Sequence, residues 1–458
     1  MGHGLPAQGA PEQRLGGRPG LRGVLARTAV EFPRGLQGLH LCRRPARVAL
    51  AHPRRQLFQI TDHRLLARED QNTVRLDYAE ANPVRHYGVC DDHTQGFPAP
   101  AALALPYAGG YTARRTGGPC PQPEDTLFVE VLAPDLVRVR LPVPFPLGWV
   151  NVYGIRTATG AVLVDSGLRT PEALALLEEG FGALGLTLRA LRAVVVTHAH
   201  PDHVGLAGVL QQHTGAEVYF LDREEPVARR IWAEDPASRV RAITGMLRLH
   251  GTPPAWVDEA ARQAERLRDL VSPFGPARTV RDGEVFELDG FRVQVRWTPG
   301  HSDGHMVLLD SQGRLFCGDH VLPDLSPNIS LYPEARPDPL GDYLASLRAV
   351  RDLPVRTAYP GHGDPFRGWA ERVDELLEHH RARLHAAWEL LPPQGCTAFE
   401  LARRLFAEHF QERDGLPQVP LPLAVGEAAA HLERLVQEGR AARDGSVPVR
   451  YRPVGGLT

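Results

Sequence analysis

The sequence predicts an α/β protein built on a mixed sheet and followed by a small helical module. Three observations carry this expectation. From about residue 127 to 365, short apolar runs alternate with segments of helical period. The runs are β-branched and bounded by Gly, Pro or Asp, as strands are. Beyond Trp369 the strand patterns stop, and three helical segments lead into a terminal hairpin pattern. The 458 residues are enough for about two to four domains of ordinary size.

Residues 137–141 alternate apolar and charged, as a half-buried strand does. Residues 149–155 and 161–165 read as two strands joined through Thr159 and Gly160. Thr170, Pro171 and Glu172 open a helix running to about Leu184, with threonine as cap and proline in the first turn. Residues 193–197 are apolar and β-branched up to Thr197, which suits a strand covered on both faces. A helix over 204–213 and a strand over 217–221 follow. Residues 223–272 form a largely helical insertion, broken at Asp235-Pro236 and at 251–254. Strands return at 284–288, 291–297, 305–310 and 315–317, then a helix at 340–353 and a short strand at 357–359. The C-terminal segment, 366–458, carries helices from Trp369 to about Leu391, from Thr397 to about Phe410 and over 426–439. Residues 440–453 then form a hairpin turning at Asp444-Gly445, which gives a winged-helix-like outline.

Residues 1–120 read differently. No serine precedes Ser166, and the first sixty residues set ten Arg against only Glu12 and Glu31. The segment lacks the apolar stretch of a secretory signal and the serines of a transit peptide. Pro6 stands where myristoylation needs Ser or Thr. The expectation is a poorly ordered extension, or a translation start placed too far upstream, with a small accessory domain as the alternative.

Composition excludes several classes. All 52 basic residues are Arg, and with 54 acidic residues the net charge is −2, which removes the broad electrostatic case for a nucleic-acid or anionic-membrane binder. No apolar run approaches the ~20 residues of a membrane helix. The five cysteines, Cys42, Cys90, Cys120, Cys317 and Cys396, are scattered without a CxxC. That argues against a disulfide scaffold or cysteine zinc finger and makes a reducing cytoplasm the default location.

The strongest chemical signal is the run His198, Ala199, His200, Pro201, Asp202, His203, placed between an apolar strand and a helix. Sites of α/β proteins form at such strand ends. Imidazole and carboxylate suit zinc, or iron or manganese. Three more candidates each follow a strand: His301 after Gly300, Asp319 after Gly318, and His362 after Gly361. Together they read as two sets. His198, His200 and His301 take one ion; Asp202, His203 and His362 take a second; Asp319 lies between and bridges.

These motifs resemble those of the metallo-β-lactamase-fold hydrolases, as does the earlier strand end Val164, Asp165, Ser166, Gly167. The resemblance spans about 135–365. Within the family it points to the branch of glyoxalase II and β-lactamase-like protein 2, and Glu378 to Arg381 are similar to that branch. It implies a four-layer αββα sandwich with the site at one edge, plus the C-terminal helical domain. It also implies that Asp165 hydrogen-bonds within the site instead of binding metal. The expected catalyst is a dinuclear site, with two Zn²⁺ and a bridging hydroxide attacking an acyl or phosphoryl centre. Asp202 both ligates and orients that hydroxide.

Neighbouring residues suggest lesser roles. His305 and His320 suit packing or support, with His320 the one that could face substrate. Asp303 reads as a turn residue, 326–329 as a pocket wall or plain loop, and Cys317 as a core thiol. Trp232, Met246, Leu247, Leu249 and Trp256 of the insertion pack as core or cap the site. The first functional expectation is hydrolysis of a small ester or thioester. Alternatives are a single-stranded RNA endonuclease, an iron-dependent oxidoreductase on the same ligands, and a non-catalytic scaffold. Nucleic acid is the weaker partner, because residues 366–458 hold twelve Arg against thirteen acids. Oligomeric state is not legible in the sequence.

Overall fold

The computed structural model describes residues 128–144, 147–407, 410, 412–413, 416–417 and 420–454, together with four short N-terminal strands. The chain divides into two units, Met1–Asp91 and Asp92–Thr458. In the first, β1 (Leu39–His40) pairs antiparallel with β2 (Ala49–Leu50), and β3 (Leu66–Asp70) with β4 (Thr73–Asp77). The sequence shows no clear strand pattern there. The expected extension over 1–120 otherwise lies outside the described residues.

The second unit opens with an antiparallel series, β5 (Val129–Ala133), β6 (Leu136–Pro142), β7 (Trp149–Arg156) and β8 (Ala161–Val164). Helix α1 (Pro171–Ala183) starts at the predicted cap: the Thr170 hydroxyl accepts the Ala173 N–H at 3.1 Å. β9 (Leu191–Val195) returns parallel to β8. Two short helices, α2 (Pro201–Val204) and α3 (Ala207–Thr214), lead to β10 (Glu217–Leu221), parallel to β9. The insertion contains α4 (Glu225–Ala228), a π-helical turn, α5 (Pro236–Leu249) and α6 (Pro254–Arg268). β11 (Arg278–Val280) then pairs with β10 and completes a seven-stranded sheet, β11-β10-β9-β8-β7-β6-β5. β5 and β11 are not foreseen in the sequence; β11 is three residues long, too short for a period to show.

The second sheet holds β12 (Val285–Leu288), β13 (Phe291–Trp297), β14 (Met306–Asp310) and β15 (Arg314–Gly318), all antiparallel. Helix α7 (Pro339–Val350) crosses back to β16 (Thr357–Pro360), parallel to β15. Strand alternation sets the layers. Tyr153, Ile155, Val162 and Val164 of the first sheet meet Val293, Val295, Leu308 and Phe316 of the second in a central apolar layer. Val152, Leu163 and Val194 point the other way, into a cluster with Phe181 of α1 and Leu210 of α3. Val307, Leu309 and Leu315 likewise join Tyr343 and Leu347 of α7. The result is the four-layer αββα sandwich expected from the resemblance.

Helix α8 (Trp369–Glu389) begins the C-terminal segment. Helix α9 (Ala398–Leu405) carries the predicted capping box between Thr397 and Glu400. A small pair, β17 (Glu412–Arg413) and β18 (Leu416–Pro417), precedes α10 (Leu421–Gln437). The hairpin β19 (Ala441–Arg443) and β20 (Tyr451–Pro453) follows. Three boundaries differ from expectation, the first being the end of α9 at Leu405, five residues before Phe410. α10 starts five residues before 426, because Pro420 and Pro422 sit where a helix needs no N–H donor. The hairpin loop is wider than a two-residue turn, since the Asp444 carboxylate accepts N–H bonds from both Ser446 and Arg450. Val373, Leu376, Leu401, Val425 and Leu432 share one apolar cluster with Leu315 and Tyr343, so these helices pack on the outer layer of the sandwich. Among the described residues no helix is long and apolar enough to cross a membrane.

Glu427 of α10 is buried in this shared region. It accepts a hydrogen bond from Asn328 Nδ2 at 2.8 Å, and Arg383 lies 3.9 Å away. Burial lifts its carboxyl to about 7, against the opposing pull of Arg383 and Asn328. An acid raised above its unfolded value of 4.5 contributes stability that is fully present below 4.5 and lost as pH rises through about 7. Relative to Glu427→Gln, the native chain is expected to lose about 3 kcal/mol of unfolding free energy over that window. Urea unfolding across pH measures it; parallel profiles for the two chains contradict it.

Candidate metal centre

The site forms where β8 and β9 end side by side. Asp165, just past β8, has a φ of 60°, a left-handed backbone that aspartate tolerates better than most residues. Its Oδ1 accepts the Thr197 N–H at 2.8 Å, and its Oδ2 meets His203 Nδ1 at 2.8 Å. Asp165 thus anchors the loop after β9 and fixes the buried ring of His203. Pro201 starts α2, which carries Asp202 and His203, and the His203 ring lies 4.1 Å from that of His198.

All seven predicted residues converge. His198 Nε2 lies 3.0 Å from His200 Nδ1 and 3.2 Å from His301 Nε2. Asp202 Oδ2 lies 3.3 Å from His362 Nε2 and 3.8 Å from His203 Nε2. Asp319 Oδ2 stands 3.5 Å from the Nε2 of each of His203, His301 and His362. Three ligand groups result, each with its donor atoms within 4.8 Å: His198, His200 and His301; His198, His203 and Asp319; Asp202, His203 and His362.

The residues fit a metal. His203 Nε2 and Asp319 Oδ1 are buried without a hydrogen-bond partner among the described residues. Unpartnered buried polar atoms are costly, and a cation between them removes that cost. The outward ring nitrogens are already committed. His301 Nδ1 donates to the Asn328 carbonyl at 2.9 Å, and His362 Nδ1 to the Trp149 carbonyl at 2.8 Å. Such bonds fix tautomer and ring direction, leaving Nε2 for the centre. The motif glycines have a steric reason. A Cβ at Gly361 would stand 2.3 Å from Asp319 Oδ1; one at Gly318 would stand 2.7 Å from His305 Nε2.

Electrostatics divides the site. Burial, reinforced by neighbouring imidazoles, pushes His198 and His200 well below the ordinary histidine value. Burial acts the same way on His203 and His362, but the carboxylates overcome it. Asp165 and Asp319 hold His203 well above the ordinary range, and Asp319 with Asp202 raises His362 to about 10. Burial opposes charge on Asp319, yet His362 and His203 bring it well below the usual carboxylate range. The carboxylates therefore draw positive charge toward the His203 and His362 side.

The neighbouring residues separate cleanly. His305 Nε2 accepts the Asp319 N–H at 3.2 Å, and its Nδ1 pairs with the Thr298 hydroxyl at 2.8 Å, so it supports Asp319. His320 is fully buried between Tyr343 and His305 and does not face the cavity. The Asp303 carbonyl accepts the Trp297 indole N–H within its turn. Cys317 is a buried thiol in the outer core. Met246 and Leu247 are also core, Leu249 is exposed, and Trp256 packs on Phe399. Trp232 does more: its indole N–H donates to the Ala199 carbonyl at 2.7 Å, clamping the loop between His198 and His200.

Glu224 is the support residue that sequence reasoning misses. Buried just after β10, its carboxylate accepts the Ala199 N–H at 2.7 Å and the Gly304 N–H at 2.8 Å. It ties the loop of His198 and His200 to the loop of His301. Beside Glu225 it reads as a solvated helix start, and only its strand-end position hints otherwise. A cavity of about 160 Å³ opens over His200, Asp202, His301, Asp319 and His362. Its walls come from α5 and α6 (Arg239, Ile243, Ala260, Ala264), from Tyr332, and from Leu423 at the start of α10.

Known proteins resemble this chain in sequence and in fold. The sequence profile of the Metallo-beta-lactamase superfamily matches residues 146–362. The chain is 30% identical to a probable metallo-hydrolase, YqjP, of Bacillus subtilis (strain 168), over 66% of this chain and 93% of the relative. It is 25% identical to a beta-lactamase-like protein 2 homolog of Caenorhabditis elegans, covering 61% and 79%. It is 27% identical to an atrochrysone carboxyl ACP thioesterase of Aspergillus fumigatus, covering 56% and 64%. A solved metallo-beta-lactamase family protein of Thermus thermophilus superposes with a TM-score of 0.63 at 37% identity, over 71% of this chain and all of that one.

Glu224→Ala removes the tie between two ligand loops. It is expected to weaken zinc binding about 10–100-fold, the range for loss of a ligand-supporting contact. Competition against a chromophoric chelator measures this, and native affinity in the variant refutes the role.

Proposed function

The chain belongs to the metallo-β-lactamase superfamily, and on that premise we propose that it is a dinuclear, zinc-dependent hydrolase of small ester- or thioester-like substrates. One observation carries the reading: Asp319 Oδ2 is equally close, at 3.5 Å, to His301 of one ligand set and to His203 and His362 of the other. His198, His200 and His301 would hold one ion, Asp202, His203 and His362 the other, with Asp319 shared. The metal pair, when bound, supplies an acidified water as nucleophile and a Lewis acid for the attacked carbonyl.

The chain's own side chains do the rest. Asp202, beside His362 and His203, orients the water and takes its proton at a carboxylate oxygen. Asn328 and Trp149, through their carbonyls, keep His301 and His362 aimed inward. Trp232 and Glu224 hold the first ligand loop still. The insertion and α10 cover the centre and limit water around the scissile bond.

The apolar cavity walls and the thioesterase relative support an acyl substrate. The RNA reading is less well supported. Three of the four hairpin arginines meet an acid: Arg443 with Glu433 at 2.9 Å, Arg440 with Glu438 at 3.3 Å, and Arg450 with Glu400 at 3.4 Å. They leave little free charge for a phosphate backbone.

Zinc-loaded protein is expected to hydrolyse a short acyl thioester, to lose that activity on chelation, and to lose roughly 10²–10⁴-fold in kcat with Asp202→Asn. Assays of the thioester and of single-stranded RNA in parallel decide. Cleavage of RNA with no hydrolysis of the thioester overturns the proposal.

A further inference from the structure

Among the described residues, Arg239 is the one cationic side chain lining the cavity, apart from histidines, and the two carboxylates that line it, Asp202 and Asp319, stand in the histidine cluster and form no ion pair with Arg239. It lies on α5 with its guanidinium 5.2 Å from the Trp232 ring and 5.8 Å from the Tyr332 ring. Tyr332 in turn stands 6.3 Å from the His200 ring. All of these groups line the same cavity as the ligands. Among the described residues no carboxylate forms an ion pair with Arg239, although the neighbouring Arg241 is paired with Asp235.

Arg239 is half-buried, and a charge partly withdrawn from water is costly without a partner. The two aromatic rings offer partial compensation through their faces and hold the guanidinium in place. Its edge N–H donors are suited to a planar, bidentate acceptor. No second arginine lines the cavity among the described residues, so one negative charge balances it. The remaining wall is mainly apolar, with Ile243, Ala260, Ala264, Leu267 and Leu423, and carries Gln263 and Asn328 as its neutral polar side chains. Resting on the hydrolase reading above, we propose that Arg239 selects the substrate: an acyl ester or thioester whose aliphatic chain lies along this wall and ends in a carboxylate. The residues that would hold the metals define the reacting end of the cavity, and Arg239 stands beyond His200, past the Tyr332 ring.

The test pairs two substrates and two ligands on zinc-loaded protein. The substrates are the monothioester of a six-carbon diacid and the same compound with its free carboxylate methylated. The ligands are adipate and its monomethyl ester, compared by calorimetry. One carboxylate of each ligand would have the metal pair as partner, so the difference between them reports the contact with Arg239. Native protein is expected to prefer the free carboxylate about 10–100-fold in kcat/KM and in binding, as a charge-assisted hydrogen bond predicts. In Arg239→Gln the preference falls to near one, and in Arg239→Lys part of it returns. Arg241→Gln, on the same helix but exposed, keeps it. Absence of any preference in the native protein overturns the proposal, as does equal loss on both substrates in Arg239→Gln. Tighter binding of hexyl phosphate than of adipate overturns the choice of a monoanion. A preference in binding without hydrolysis of either thioester upholds Arg239 and overturns the hydrolase reading. Hydrolysis of both without preference does the reverse.

Discussion

The Asp319 carboxylate, packed among three imidazoles from three different loops, is the contact on which the site depends. Its Oδ2 is 3.5 Å from His203, His301 and His362. Those residues follow β9, β13 and β16, and Asp319 itself follows β15. The two sheets must therefore present their strand ends at one edge, and the central apolar layer of Tyr153, Val164, Val195 and Phe316 is what holds them in that relation. Close approach at Asp319 leaves no space for a side chain at Gly361, and little at Gly318. The two glycines of the motifs are thus consequences of the same crowding.

Around that contact sits a layer of rigid supports. Asp165 takes a left-handed backbone to reach Thr197 and His203 at once. Strain of this kind persists where the surroundings over-determine it, and it gathers at functional sites. Glu224 and Trp232 fasten the backbone of Ala199 from opposite sides, by carboxylate and by indole. The helical insertion is therefore part of the centre's frame as well as the wall of its cavity. α10 reaches the centre by a longer route: Glu427 holds Asn328, whose carbonyl holds His301.

Much of this was legible in the sequence because it is local. The strand over Phe291–Trp297 and the strand over Glu217–Leu221 follow from their apolar patterns, and the caps at Thr170 and Thr397 from residue type. The seven site residues announce themselves by clustering, by glycine partners and by strand-end position. What was not legible is what depends on distant packing. Arg278–Val280 is a strand only because β10 offers it an edge. Glu224 looks like a surface helix start until the fold buries it against Ala199 and Gly304. His320 has the chemistry of a site residue, but the fold seals it behind Tyr343. Arg239, one arginine among 52 basic residues, gains meaning only from the cavity it enters.

The most direct measurement is an anomalous difference map from crystals of the zinc-reconstituted protein, recorded on both sides of the zinc edge. Two peaks are expected, about 3.5–4 Å apart, one among His198, His200 and His301 and the other among Asp202, His203 and His362, both within reach of Asp319. A single peak, or zinc bound away from Asp319, would contradict it.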